Sequence, residues 1–426
     1  MEQSTIAFII IGVVIVMYVV ERFPIALTSL AALMAFPLAG IIPLRDAFSG
    51  FGNDILFLAV GMIVLGNALF ETGVVEVMGK KMSKIVGTNE RVFIAVIFVV
   101  CTALSVFLAN VAVVALMLPI SASVIAGSKG KLTKKNTNMM VGIAAVVGGG
   151  LSIVGAPPQL IAQSILIDGG FRPMGFFEIS QLGIPLVILS LIFFTTVGPA
   201  LQRKIFSFPE IEEIAPKPVA ESETNEQPKS VVKMFIAVGI LLFCIIGFVA
   251  NLWTVSIVSI VGAILCIATG CISQKRAFET MNWTTIIVVG CAIGIAHGFE
   301  RSGASQMVAD SMINMLGDNV SPWLLTATLS FIAMIFTNFM SSSAVASILV
   351  PIAILAANDL GYDVTKVVMI TAFSVNAGFA TPISTPPMTL TLSGGYRFTD
   401  YIKFGGLFNI LTYALVAAAI PFILGF

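Results

Sequence analysis

The chain has 426 residues, 58% of them apolar and only 10% charged, with 22 lysines and arginines balancing 22 aspartates and glutamates. Its mean hydropathy of +1.04 excludes an ordinary soluble protein and leaves no room for a sizeable soluble domain. A bilayer core ~30 Å thick needs roughly 20 apolar residues per helix, and such runs recur from end to end, so the expected class is an all-α polytopic membrane protein.

The opening MEQSTIAFIIIGVVIVMYVV has neither a basic leader nor a small-residue cleavage pattern and is read as a retained first helix, 4–20. Further apolar runs predict spans at 24–43, 54–70, 137–167, 178–200, 234–250, 252–272, 282–299, 364–392 and 404–425. Trp253, Trp283 and Trp323 fall near span ends, where tryptophan anchors a helix at the interface. The five cysteines, Cys101, Cys244, Cys266, Cys271 and Cys291, lie in apolar segments without metal-ligand spacing and read as small apolar filler.

Two more apolar blocks, 92–128 and 320–358, are each long enough for two short helices. Lys80, Lys81, Lys84 and Arg91 precede the first; Lys129, Lys131, Lys134 and Lys135 follow it. Both of its ends should therefore be cytoplasmic. Its midpoint, 105–111, is no aqueous loop, so the block is expected to fold back as a re-entrant hairpin whose tip is buried in protein or lines a cavity. Alternation of the remaining spans then puts both termini outside. Of the lysines and arginines, only Arg45, Arg172, Arg301 and Lys366 fall outside with them. The segment 201–233, acidic and proline-bearing at its centre, reads as a flexible cytoplasmic linker.

The sequence repeats itself. DAFSGF from Asp46 resembles RAFETM from Arg276, and FLANVAVVALMLPI from Phe107 aligns without a gap on FMSSSAVASILVPI from Phe339. GAPPQL from Gly155 faces STPPMT from Ser384, and GGFR from Gly169 faces GGYR from Gly394. The expected organisation is a repeat over 1–200, the linker 201–233, and a repeat over 234–426. Each repeat has five spans and one hairpin that does not cross. Five is odd, so the repeats should be inverted, which places a binding site at their interface near the midplane, reached through broken helices.

The first tip offers Ser105 and Asn110; the second offers Thr337, Asn338, Ser341, Ser342 and Ser343. Such residues in apolar helices commonly bond back to their own backbone or across to a neighbour. Here Ser105 matches Thr337 and Asn110 matches Ser342, which favours a paired site. Where a helix turns back, free carbonyls can coordinate a cation and free N–H groups can meet an anion. The paired prolines at 157–158 and 386–387 should break their helices. No aspartate, glutamate or histidine relay stands near the membrane centre, which favours sodium over proton coupling, and His297 reads as a packed or interfacial side chain. No P-loop, HExxH or dinucleotide fingerprint is present, so the chain is not expected to be an enzyme.

With two hairpins, paired proline breaks and GGYRFTDYIKFGGLFNIL near its end, the chain resembles the divalent anion:sodium symporter family of the ion transporter superfamily, closest to its sulfate and carboxylate permease branch. The resemblance implies sodium-coupled symport of a dicarboxylate, citrate or sulfate by an elevator mechanism, in a plasma-membrane homodimer. Sodium ions are the coupling ions; no other cofactor and no nucleic-acid partner is implied. By resemblance, Ser105, Asn110 and Gly155 would form one sodium site and Thr337, Ser342 and Ser384 the other, with the anion touched by Asn110, Ser341, Ser342, Ser343 and Thr385. The tips of the family carry Ser-Asn-Thr or Asn-Asn-Thr and its breaks Gly-Thr-Pro-Pro-Asn-like motifs. Here Val111 and Ala156 lack the hydroxyl, and Met388 lacks the amide, of those patterns. An antiporter or exporter of a metal oxyanion or cation, or a membrane receptor that binds an anion without moving it, are the other readings of the same residues.

Overall fold

The computed structural model describes residues 2–20, 22–74, 77, 90–127, 132–206, 230–250, 252–317 and 320–425. Lys80, Lys81, Lys84, Lys129, Lys131 and most of the linker 201–233 lie outside the described residues, and so does the test they offered of sidedness. Among the described residues there is no strand.

The first half runs through α1 (Gln3–Val20), α2 (Ile25–Leu38), α3 (Asp54–Glu71), α4 (Glu90–Ser105), α5 (Asn110–Gly127), α6 (Lys134–Gly149), α7 (Pro157–Asp168), α8 (Ser180–Thr195) and α9 (Val197–Ile205). The second runs through α10 (Val231–Val249), α11 (Val255–Ala268), α12 (Trp283–Arg301), α13 (Ala304–Leu316), α14 (Pro322–Phe336), α15 (Ser342–Asp359), α16 (Val364–Asn376), α17 (Pro386–Leu390) and α18 (Gly406–Leu424). The blocks 92–128 and 320–358 each resolve into two helices joined by a short turn, α4 to α5 and α14 to α15. The chain does break just before Asn110.

The paired prolines act as expected. Pro157 and Pro386 each stand at the first turn of a short helix, after an extended residue, Ala156 or Thr385. An N–H that no helix residue could accept is absent at such a position, so proline starts these helices rather than merely kinking them.

Among the described residues, not every one of the ten predicted runs becomes a single long helix. Among the described residues, five helices are long and apolar enough to cross a bilayer singly: α3, α10, α12, α15, and the segment Phe398–Leu424 that contains α18. The run 178–200 divides into α8 and α9, bent by 61°. The runs 24–43 and 252–272 shrink to the 14-residue α2 and α11, about 21 Å each, because Gly40 and Gly270 take left-handed φ of 71° and 69° and close the helices early. Helix α13 was not expected at all: it is amphipathic, and its mixed sequence ASQMVADSMINML hides it from a search for apolar runs.

The two halves interlock. Helix α3 packs against α11, and α12 against α2, so the third helix of each half lies on the second helix of the other. On α12, Gly294 and Gly298 meet Leu33 and Phe36 of α2, and Gly290, in the same four-residue spacing, meets Phe51 in the segment that follows α2. A Cβ at Gly294 would stand 2.1 Å from the Ala47 carbonyl oxygen and 2.3 Å from Leu33 Cδ1. In apolar surroundings, where hydrophobic burial cannot drive association, such small-residue stripes let backbones approach closely enough for dispersion to hold them.

Charges at the ends of this contact follow the same symmetry. Arg276 Nε lies 3.0 Å from Glu71 Oε1, and Arg301 Nη2 lies 2.9 Å from Asp46 Oδ2. Asp46 and Arg276 are matched positions of the two repeats, as are Glu71 and Arg301. One half thus supplies both acids and the other both bases. Each pair is part exposed and contributes on the order of 0–1 kcal/mol, so the pairs fix register more than they stabilise. Trp253, Trp283 and Trp323 are exposed near helix starts, as interfacial anchors should be.

Gly294→Val is expected to lower detergent-solubilised stability by about 1–3 kcal/mol, because the facing carbonyl belongs to backbone and cannot yield. Gly12→Ala, with nothing within 4 Å of the new methyl, is the control and should melt like the parent. Equal melting temperatures for parent and Gly294→Val would refute the close contact.

Candidate functional site

Four helices start around one cavity of about 350 Å³: α5 at Asn110, α7 at Pro157, α15 at Ser342 and α17 at Pro386. The N-terminal residues of all four line it, as do Gly155, Ser341, Ser343 and Thr385. All five residues expected to touch an anion (Asn110, Ser341, Ser342, Ser343 and Thr385) therefore face a common space, contributed by both halves. No residue lining it carries a charge. Its electrostatics come from the positive ends of these helices; the first-turn N–H groups of α5 and α15 have no intrahelical partner, whereas α7 and α17 each open on two prolines, which have no N–H.

Ser341 and Thr385 occupy N-cap positions, yet neither side chain caps its helix. Thr385 Oγ1 is buried and has no hydrogen-bond partner among the described residues. A hydroxyl left unmade at a position where it ordinarily closes the helix is available to something else in the cavity.

Behind the first tip, Ser105, Asn110 and Gly155 come together as expected. With its amide nitrogen turned toward the acceptors around it, Asn110 donates to Ser105 Oγ (2.6 Å), to the Gly155 carbonyl (2.9 Å) and to the Ala145 carbonyl (3.2 Å). Four neutral oxygens or oxygen-bearing groups thus converge at the end of α6. Gly149 permits this, since a Cβ there would meet both amide heavy atoms of Asn110 at 2.5 Å. Behind the second tip, Thr337 and Ser384 meet over Gly378, whose Cβ would lie 2.9 Å from Thr337 Cγ2 and 2.8 Å from Ser384 Cβ. Ser384 Oγ donates to the Gly378 and Thr381 carbonyls, at 2.7 and 2.9 Å. Thr337 Oγ1 is fully buried with no partner among the described residues. Ser342 opens α15 at the cavity; no hydrogen bond joins it to Thr337 or Ser384.

Two hydroxyls that the sequence reading passed over carry much of this arrangement. Ser152 Oγ donates to the Val106 carbonyl in the first turn (2.6 Å) and accepts from Gly155 N (3.1 Å). Thr381 Oγ1 donates to the Asn338 carbonyl in the second turn (2.6 Å). Asn338 answers by accepting from Ala380 N through Oδ1 (2.9 Å). Ser152 and Thr381 are matched positions, each between a helix-ending glycine and the proline pair, and that spacing was the signal available. Asn376 Nδ2 donates to the Val146 carbonyl (3.1 Å), joining the two breaks across the repeats. His297 was read as a packed or interfacial residue; its Nε2 lies 2.5 Å from Asp168 Oδ2, linking the end of α12 to the end of α7.

Broken helices ringing an uncharged, largely apolar cavity with a few polar side chains, inside an apolar helical bundle, are the arrangement of a multi-pass membrane transporter. A sequence model of the citrate transporter family matches residues 15–366, and the chain belongs to that family. An uncharacterized transporter of Haemophilus influenzae is 24% identical across 96% of this chain and 89% of its own length. The sodium-dependent high-affinity dicarboxylate transporter 3 of Caenorhabditis elegans is 24% identical across 93% of this chain and 79% of its own. The sodium-dependent dicarboxylate transporter SdcS of Staphylococcus aureus is 22% identical across 96% and 83%. These names agree with the resemblance to the divalent anion:sodium symporter family. In fold, the Alcanivorax borkumensis YdaH transporter matches 88% of this chain and 85% of its own with a TM-score of 0.57, at 14% identity.

Two substitutions should move stability in opposite directions. Asn110→Ala strands Ser105 and two buried carbonyls and is expected to cost about 1–3 kcal/mol. Thr385→Val removes an unpartnered hydroxyl at constant shape, so the ligand-free protein should be unchanged or about 1 kcal/mol more stable. Thermal unfolding in detergent without substrate measures both, and a large loss in Thr385→Val would show that its hydroxyl has a structural partner.

Proposed function

We propose that this protein imports a small anion of the dicarboxylate, citrate or sulfate kind together with sodium. The observation that carries the reading is the meeting of four helix N-termini around one uncharged cavity, with free N–H groups at the starts of α5 and α15. Such an arrangement attracts an anion without the desolvation cost of a buried lysine or arginine. The names of the sodium-dependent dicarboxylate relatives support the same substrate class.

The cation fits the pockets behind the tips. Ser105, Asn110 and the Gly155 carbonyl supply neutral oxygens at the C-terminal end of α6, where the helix dipole is negative. Turning the Asn110 amide over would present Oδ1 in place of its protons. Thr337, with an unpartnered hydroxyl, stands at the equivalent place at the end of α14, beside Ser384. Ser342 belongs to the cavity side of that second site. Sodium at either pocket holds a tip against its broken helix and so completes the wall that the anion touches, which couples the two.

The two halves act as inverted repeats with hairpins opening to opposite faces, and a homodimer in the plasma membrane carries the anion by an elevator movement. Support for an inward-open form comes from the cavity's reach to Ile25 and Thr284, at the helix ends that the positive-inside distribution puts toward the cytoplasm.

Reconstituted into liposomes, the protein is expected to accumulate labelled citrate, succinate or sulfate when sodium is outside and to lose most of that uptake when potassium replaces it. Asn110→Ala and Ser342→Ala should each weaken substrate binding by ~1–3 kcal/mol. Uptake that ignores sodium and follows a pH gradient would overturn the coupling.

A further inference from the structure

The two tips hold equivalent places, and their chemistry is not equivalent. The second presents Ser341, Ser342 and Ser343, and its broken helix adds Thr385. None of these four hydroxyls has a protein partner among the described residues. The first presents Ala109, Asn110 and Val111, and its broken helix adds Ala156. The one polar side chain that lines the cavity on that side, Asn110, is already engaged with Ser105, Gly155 and Ala145, while the buried Gln159 amide of the same broken helix does not line it. Around it the cavity wall continues through Phe107, Val154, Leu160, Met62 and Ile63.

The other polar residues at the cavity do not redress the balance. Asn376 donates to the Val146 carbonyl. Asn282 Oδ1 accepts from Thr285 N as the cap of α12, and Thr284 is exposed, so this group forms a hydrated rim. The helix-start N–H groups exist at both tips; the side-chain hydroxyls exist at one.

We infer that the transported anion carries its charge at one end and an apolar body at the other. The anionic end lies among Ser341, Ser342, Ser343 and Thr385, and the body lies against Val111, Ala156 and Phe107. A molecule with carboxylates at both ends would place the second one where the first tip offers backbone N–H groups and no hydroxyl, and a buried carboxylate with fewer partners bears more of the penalty of desolvation. This inference rests on the reading above, that the cavity carries an anion with sodium. Val111 is the residue that sets the preference: threonine has its shape and would restore a hydroxyl to the first tip.

A pair of isomers isolates charge placement from size and net charge. Ethylmalonate bears both carboxylates on one carbon with an apolar tail; glutarate has the same atoms with one carboxylate at each end. In proteoliposomes with a sodium gradient, ethylmalonate is expected to half-saturate sodium-dependent transport at a concentration on the order of tenfold below that of glutarate. Val111→Thr should close most of that gap by improving glutarate. Ser343→Ala should weaken both isomers alike, since each has an anionic end to place there. Glutarate equal to or better than ethylmalonate in the wild type would overturn the inference, as would sodium-dependent uptake of citrate or sulfate with neither isomer carried. If no anion in the set moves with sodium, the underlying transport reading itself fails, and this inference with it.

Discussion

Backbone groups freed inside an apolar bundle must find partners, and that requirement shapes the centre of this protein. Each half interrupts helices twice at similar depth, once in the turn before α5 or α15 and once before the proline pair. No water-like environment surrounds these interruptions on the bundle side, so an unmet carbonyl there is costly. The chain meets the demand by setting one interruption against the other. Ser152 reaches from the first break to the turn at Val106, and Thr381 reaches from the second break to the turn at Asn338. The site follows from this crosswise repair: bringing turn and break together brings four helix starts to one space.

Much of the fold was legible because it depends on long apolar runs and on proline, whose effects are local. The breaks at 157 and 386, the two-helix blocks and the duplication could all be read from residue type and spacing. Span length was less legible. Gly40 and Gly270 close α2 and α11 early through left-handed backbone, while the apolar run continues beyond them and suggests a longer helix. The residues that line the cavity could be named because they fall at matched positions in the two halves, which singles them out better than any one serine does. Ser152 and Thr381 were hidden by the common tendency of such hydroxyls to bond within their own helix. The His297 pair with Asp168 was hidden because nothing local joins residues so distant in sequence.

The two halves are alike in the order of their helices and breaks and divergent in chemistry. Asp46 and Glu71 face Arg276 and Arg301 across the interlocked helices, so a pairing of two identical halves, acid against acid, would be repelled. Sign segregation thus makes the association of unlike halves the favourable one, at the modest energy expected of part-exposed pairs. Packing at Gly294 and its neighbours then supplies the close contact that the charges only orient.

The same divergence reaches the cavity, where it has a different consequence. At the interlock, each lost equivalence is matched by a complementary change in the other half. At the tips it is not: Val111 and Ala156 have no hydroxyl, while Ser343 and Thr385 at the matched positions have one, without a partner among the described residues. An unpartnered buried hydroxyl that faces a cavity, as that of Thr385 does, is free to meet a bound molecule there. The surplus of hydroxyls lining one side of the cavity and their absence from the other are what the inferred anion, charged at one end and apolar at the other, would match.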